Sequence, residues 1–222
     1  MTGLAGTGLA IGADAVLSGT LVDEVNALCG RVEAGPAAAV LLRLGGGTAD
    51  RPYGDVTVQA VNRWERALRR LERLPAATVA VVDGPCAGPA FDALLTADYR
   101  IASAAVRLRI APVGAGPWPG MALYRRANQV GTGRARSLAL FGTELPAARA
   151  AEWGLLDEVV PDPAARSRAV LDAFAGTHGK ELAIRRRLLL DAGSTSFEDA
   201  LGAHLAACDR ALRLAAADRE PA

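Results

Sequence analysis

Residues 78–101, Thr78-Val-Ala-Val-Val-Asp-Gly-Pro-Cys-Ala-Gly-Pro-Ala-Phe-Asp-Ala-Leu-Leu-Thr-Ala-Asp-Tyr-Arg-Ile101, constrain the fold more than any other stretch of this chain. The apolar run Thr78 to Val82 reads as a buried strand, because a strand covered on both faces has no need to alternate polar and apolar residues. A Gly/Pro turn ends it, a short apolar helix follows, and a second strand closes the segment. Such a layout sets the unsatisfied backbone amides of a helix N-terminus at the end of a strand, where they can receive developing negative charge.

Strands alternate with helices in the first half of the chain. Leu9 to Leu17 reads as an early strand or hairpin. Ser18 or Thr20 can cap a helix from about Leu21 to Arg31, in which Leu21, Val22, Val25, Leu28 and Val32 recur at helical spacing. Residues 38–44 form a strand that ends at Gly45-Gly46-Gly47, and a loop runs on to about Asp55. From Val58 to Leu74 an amphipathic helix sets Val61, Trp64, Leu68 and Leu71 on one face and Arg66, Arg69, Arg70 and Arg73 on an exposed one, until Pro75 stops it. After Ile101 the pattern is irregular through Pro112, Pro117 and Pro119. Helical stretches follow near Met121–Gln129 and Gly133–Phe141, then a helix running into a short strand over 144–161. Three helices complete the chain: Pro163–Phe174, Lys180–Asp191 and Phe197–Leu214. The pattern predicts an α/β fold with a core over residues 1–160 and a C-terminal helical region over 161–222.

The 222 residues suffice for one substantial core. Charged residues make up 22% and the net charge is +1, which gives no reason to expect nucleic acid as a partner. The N-terminus lacks a basic segment followed by a long apolar core, and no apolar run has membrane length, so a cytoplasmic protein without membrane contact is expected. Cys29, Cys86 and Cys208 fit neither a disulfide framework nor a metal-ligand spacing; each is expected to be a small buried apolar residue, and no metal site is expected.

The 78–101 segment resembles the signature of the crotonase (enoyl-CoA hydratase/isomerase) superfamily, V-N-G-x-A-x-G-G-G-x-E-L-A-L-x-C-D. Asp83-Gly84 stands for N-G, Gly88-Pro89-Ala90 for G-G-G, Asp92 for the acidic residue and Ala97-Asp98 for C-D, without a gap. The 144–161 stretch is similar to the superfamily's x-x-A-x-x-x-G-L-V-x-x-V-V-P, and the resemblance runs from about Val16 to Leu214. It implies a spiral of ββα units with a C-terminal helical region, a homo-oligomer such as a trimer or hexamer, and an acyl-CoA thioester as ligand. Coenzyme A then belongs to the substrate, and no separate cofactor is implied.

In that family two backbone amides hold the thioester oxygen and stabilise an enolate, commonly the largest catalytic contribution. One amide comes from the middle glycine of G-G-G, which is Pro89 here and has no N–H. The donor is then either missing or supplied by Gly88 or Ala90. The second amide falls near Gly47 when Ala49-Asp50 is matched to the family's A-D, with Gly46, Ala49 and Asp50 along the substrate. The first catalytic glutamate of the hydratases maps to Asp92, which keeps the carboxylate on a shorter stem and is the candidate acid/base. The second maps to Pro112, which carries no proton, so two-carboxylate hydration of a simple enoyl-CoA is not expected. Tyr53, Tyr99 and Tyr124 could each donate a proton, with Tyr99 expected to pack and Tyr124 the candidate of interest. Asp50 and Asp55 stand beside Tyr124, and Lys180, Arg107, Arg109, Arg125 and Arg126 are available to the CoA phosphates, with solvated faces the ordinary place for the arginines. His178 and His204 are expected on surfaces or in packing.

Residues 64–76, Asp98-Tyr-Arg-Ile-Ala102 and Trp118-Pro-Gly-Met-Ala-Leu-Tyr124 resemble one branch of the superfamily, the short crotonase-like accessory proteins of 3,5-dihydroxyphenylglycine formation in glycopeptide antibiotic producers. The likeness implies assistance to dehydration and aromatisation of a polyketide-derived CoA thioester beside a type III polyketide synthase. A non-catalytic stimulator of that synthase or of a hydratase homologue, and an isomerase or thioesterase using Tyr124 or Asp50, remain open.

Overall fold

The hydrophobic pattern is resolved by a five-stranded parallel sheet whose central strand is buried along its entire length. The computed structural model describes residues 8–47, 53, 56–113, 116–174 and 179–217. In chain order, β1 (Gly8–Ile11) leads through α1 (Gly19–Ala34) to β2 (Ala39–Leu44), and α2 (Val58–Glu72) leads to β3 (Ala77–Val82). The signature segment then supplies β4 (Pro85–Cys86), α3 (Gly88–Leu94) and β5 (Tyr99–Ala102). Beyond it lie β6 (Arg107–Leu108), a hairpin of β7 (Pro112–Val113) and β8 (Gly116–Pro117), and α4 (Met121–Phe141). The chain continues through β9 (Leu145–Pro146), α5 (Ala147–Glu152), β10 (Glu158–Val159), α6 (Pro163–Phe174), α7 (Gly179–Ala192) and α8 (Phe197–Ala217).

The main sheet has the order β1-β2-β3-β5-β10, and every neighbouring pair is parallel. A smaller sheet pairs β6 with β4 in parallel and with β9 antiparallel. The middle of the chain therefore runs strand, short strand, helix, as the expected spiral requires. All six residues of β3 are buried. That agrees with its uninterrupted apolar run, and each fully buried Val or Leu stabilises the fold by roughly 1.5–3 kcal/mol.

Helices cover both faces of the sheet. On one side the largest cluster joins α1, α2 and α3 through residues such as Val25, Leu28, Leu68, Leu71 and Phe91. On the other, Val170 and Leu171 of α6 pack on Ala39, Ala77, Val79 and Ile101. Ser18 caps α1 by accepting a hydrogen bond from the Leu21 amide, and Thr57 caps α2 through the Ala60 amide. The two helical stretches near 121–129 and 133–141 form one element kinked at Gly131, whose φ of 79° breaks the helical run.

Arg186 of α7 ties the C-terminal region to the core. Its guanidinium donates to the carbonyls of Leu74 (2.6 Å) and Ala76 (2.8 Å) and to both carboxylate oxygens of Asp98. Asp98 also accepts from the Thr78 amide and hydroxyl, each at 2.8 Å. By contrast, α8 has no buried residue, and Phe197, Leu201, Leu205 and Leu212 expose a stripe along it. Cys208, expected in the interior, is exposed on this helix, because α8 packs against little besides α7; Cys29 and Cys86 are buried as expected.

Candidate active site

Two turns meet at the carboxyl ends of β2 and β3, the edge at which open parallel sheets bind ligands. Leu44 pairs with Val82 in register, so the turn 45–47 lies against the turn 83–85. The Gly46 amide donates to the Pro85 carbonyl at 2.9 Å, and the Gly45 amide to Ile11 at 3.1 Å. The approach is too close for a side chain: a Cβ on Gly45 would stand 2.8 Å from the Asp83 carbonyl oxygen and 2.9 Å from that of Pro85, and its φ is 90°. Gly47 follows with φ 75°, exposed, beside the carboxylate of Asp14.

The second turn delivers the chain into α3. Gly88 has φ 56°, and Pro89 follows it at the start of the helix, where a missing N–H leaves no intrahelical bond unmade. Gly88, Pro89 and Ala90 are all buried. Among the described residues, the amides of Gly88, Ala90 and Gly47 have no hydrogen-bond acceptor, whereas the Phe91 amide is spent on Ala87. The loss of the donor at Pro89 therefore leaves flanking amides on either side of it.

Asp92 projects from α3 into the interior at 2% exposure. Its Oδ2 accepts hydrogen bonds from the Tyr53 hydroxyl and from Trp64 Nε1, both at 3.0 Å. Tyr53 in turn stacks on Trp118, with ring centroids 4.5 Å apart. Burial pushes the Asp92 carboxyl up to about 7 and the Glu65 charge adds to that rise; the two hydrogen bonds and the Arg125 charge oppose it. A carboxyl that titrates near neutrality can both give and take a proton. Burial, and then Asp92 itself, hold the Tyr53 hydroxyl well above its ordinary range, so Tyr53 acts as a donor and not as a phenolate. Beneath, Cys86 is fully buried, and its thiol is pushed up by the same loss of solvent.

Arginines complete the cluster, against the expectation of solvated faces. Arg125 is 8% exposed and lies 2.8 Å from Glu65, without the angle of a hydrogen bond, and 4.0 Å from Glu72. Arg126 is fully buried, with its guanidinium carbon 5.6 Å from the centre of the Phe91 ring. Positions 122, 125 and 126 fall at i, i+3 and i+4, the spacing of an inward helix face, which was the signal available for both. Trp64 was legible as a core residue, but its role as a donor to Asp92 was not.

The other candidates lie apart or beyond view. Tyr124 is 58% exposed and Lys180 is exposed at the start of α7. Pro112, matched in sequence to the second glutamate, sits exposed in β7, paired with β8. Arg107 is exposed, Arg109 half-buried, and His204 lies exposed on α8. Tyr99 donates to Glu158 at 2.6 Å and links β5 to β10. Ala49, Asp50, Asp55 and His178 lie outside the described residues. Among the described residues no group of His, Cys, Asp and Glu could hold a metal ion, and no helix is long and apolar enough to cross a membrane.

Known proteins share this layout. Residues 49–204 match the family model described as enoyl-CoA hydratase/isomerase. A protein of Amycolatopsis orientalis named enoyl-CoA-hydratase is 48% identical over 201 residues, 89% of this chain and 91% of its own length. Among solved structures, an enoyl-CoA hydratase/isomerase family protein from Silicibacter pomeroyi superposes with a TM-score of 0.80 at 17% identity, over 95% of this chain and 96% of that one. A protein of Pseudomonas aeruginosa superposes with a TM-score of 0.75 at 24% identity, over 92% of this chain and 96% of that one. The two likenesses fix the crotonase fold, and with the sequence match extending over most of both chains, this protein belongs to the enoyl-CoA hydratase/isomerase family.

Proposed function

We propose that the chain acts on a polyketide-derived acyl-CoA thioester and promotes loss of water in its aromatisation toward 3,5-dihydroxyphenylacetyl-CoA. The observation that carries this reading is Asp92, a buried carboxyl titrating near neutrality one turn into a helix whose Gly88 and Ala90 amides have no internal acceptor. In this reading the thioester oxygen rests on the Gly47 amide and on that of Gly88 or Ala90. The Asp92 carboxylate takes the α-proton, and charge moves onto the thioester oxygen. The enolate then expels the β-hydroxyl, which leaves as water carrying the proton that Asp92 returns. A C–H and a C–O bond break, a C=C bond forms, and the carboxylate is regenerated. Tyr53 and Trp64 hold the carboxyl in place throughout.

One carboxylate suffices here because aromaticity drives elimination from a ring, whereas hydration of an isolated alkene has no such assistance. Gly46, Ala49 and Asp50 would line the thioester arm, with Tyr124 and Lys180 towards the CoA end. The exposed apolar stripe of α8 supports a homo-oligomer, a trimer or hexamer, in which that stripe is covered by another copy.

The test is Asp92→Asn and Asp92→Ala in an assay reconstituted with a type III polyketide synthase. Product formation should fall about 100-fold or more in both; unchanged rates in both remove Asp92 from the mechanism. A second reading, a non-catalytic stimulator of that synthase or of a hydratase homologue, is favoured by Pro112 standing where a second carboxylate would be. It predicts a stable complex whose stimulation survives both substitutions.

A further inference from the structure

Among the described residues, the interior holds a charge that is neither paired nor used by the proposed chemistry. Arg126 has no solvent exposure, and among the described residues its Nε, Nη1 and Nη2 atoms have no hydrogen-bond partner. Its neighbour Arg125 is neutralised by Glu65 and Glu72, so the two adjacent arginines are treated differently by the fold. A guanidinium carries five N–H donors in a planar fork. The face of Phe91 at 5.6 Å satisfies none of them as a hydrogen-bond acceptor would. Burial lowers the group to about 10 while the Asp92 charge opposes that fall, so it remains a cation at neutral pH. A buried cation left without acceptors is strongly unfavourable, and such sites persist where something else requires them.

Its position indicates what that is. Phe91, the residue under the guanidinium, is flanked in α3 by Ala90, whose amide has no acceptor, and by Asp92. A donor amide, a proton-transferring carboxyl and a donor fork are thus grouped around three consecutive residues. The geometry points to Arg126 as the group that recognises a second, anionic oxygen on the acyl chain, carried on the carbon two beyond the thioester oxygen's own carbon. This deepens the acyl-CoA reading and rests on it, but not on the loss of a neutral β-hydroxyl, which a charged C3 oxygen does not undergo: the ligand class becomes 3-oxygenated acyl thioesters in which that oxygen bears charge, either a β-dicarbonyl enolate or a malonyl-type carboxylate. For the enolate, Asp92 removes the proton between the two carbonyls, and the charge is shared between the thioester oxygen on the amides and the C3 oxygen on Arg126. Solvent does not reach the guanidinium, so bulk anions do not neutralise it and the acyl chain has to part the side chains packed over α3.

Binding of butyryl-CoA, acetoacetyl-CoA and malonyl-CoA to the full chain, measured calorimetrically, tests the assignment. The wild type should bind acetoacetyl-CoA or malonyl-CoA about tenfold or more tightly than butyryl-CoA. Preference for acetoacetyl-CoA, with its enolate absorbance appearing at lower pH than in free solution, identifies the enolate; preference for malonyl-CoA alone identifies the carboxylate. Arg126→Met should abolish the preference while leaving butyryl-CoA affinity within about threefold. Arg126→Lys, which keeps the charge and loses the fork, should retain only part of it, and serves alone if the Met variant does not fold. Equal affinity for all three thioesters in the wild type, or a preference untouched in the variants, overturns the inference and leaves acyl-CoA binding standing. Failure of butyryl-CoA and free coenzyme A to bind at all overturns the acyl-CoA reading, and this inference with it.

Discussion

Replacing Asp92 with Asn should change not only activity but also the way stability depends on pH. The carboxyl lies near 3.8 in an unfolded chain and near 7 in the folded one, chiefly because burial penalises its charge. Below about pH 4 both states hold the proton and the group makes no difference. Between about 4 and 7 the unfolded chain ionises while the folded chain stays protonated, so the unfolded state is favoured increasingly as pH rises. Above about 7 both are ionised and the penalty is complete. The displacement corresponds to about 4 kcal/mol in full, of which about 2–3 kcal/mol accrues between pH 5 and pH 8. Asparagine preserves the shape and one oxygen able to accept from Tyr53 and Trp64, but has nothing to ionise. The stability of Asp92→Asn relative to wild type should therefore rise by about 2–3 kcal/mol from pH 5 to pH 8. Urea unfolding followed by tryptophan fluorescence, at both pH values and equal protein concentration, gives this difference directly and cancels the other titrating groups. A difference constant to within about 1 kcal/mol would refute the assignment of a neutral-range carboxyl to this position.

Pro89→Gly restores the N–H that the family places at this point. If the Ala90 or Gly88 amide already serves, kcat/KM should change by less than about threefold while stability falls by about 0.5–1 kcal/mol through a more flexible unfolded chain; a gain of about 100-fold would mean that the hole is broken in the wild type. Arg186→Met removes the donors to Leu74, Ala76 and Asp98 together and should cost about 3 kcal/mol, read as a lowered urea midpoint with unchanged slope. Leu205→Glu with Leu212→Glu places two charges on the exposed α8 stripe. The oligomer should then dissociate to monomers in light scattering, and a wild type already monomeric at micromolar concentration would contradict the proposed assembly.

The fold was legible because its periodicities are clean. β3 is buried throughout and carries only Thr78 as a polar residue, α2 separates Trp64, Leu68 and Leu71 from its arginines, and most prolines and glycines stand at element ends. What sequence could not give was which polar atoms turn inward. Arg70 and Arg69, read as a solvated face, reach Glu33 of α1 and the buried Glu72 of α2 itself. The indole nitrogen of Trp64 finds Asp92 across 28 positions, and Tyr53 finds it across 39. Such pairings depend on how α2, α3 and Tyr53 are brought together around the sheet, and no local pattern encodes that. The Arg125–Arg126 pair is the intermediate case: helical spacing turns both inward, but it does not say that only one will meet a carboxylate.

The cluster around α3 is held together by unequal treatment of charge. Asp92 is kept near its neutral form by burial, although two donors and a nearby cation favour its anion. Arg126 remains a cation that the described residues leave without an acceptor. If the two existed only to stabilise the fold, direct pairing would have been the low-energy arrangement; the Asp92 oxygen instead spends itself on Tyr53 and Trp64. Rigid neighbours make this separation sustainable. The Gly45 turn admits no side chain, β3 is packed on both faces, and Arg186 fastens α7 to the residues that lead into β3 and β5. A frame of that kind can hold a proton donor and a cation apart until an acyl chain with its own oxygens lies between them, which is the condition under which both become useful to one reaction.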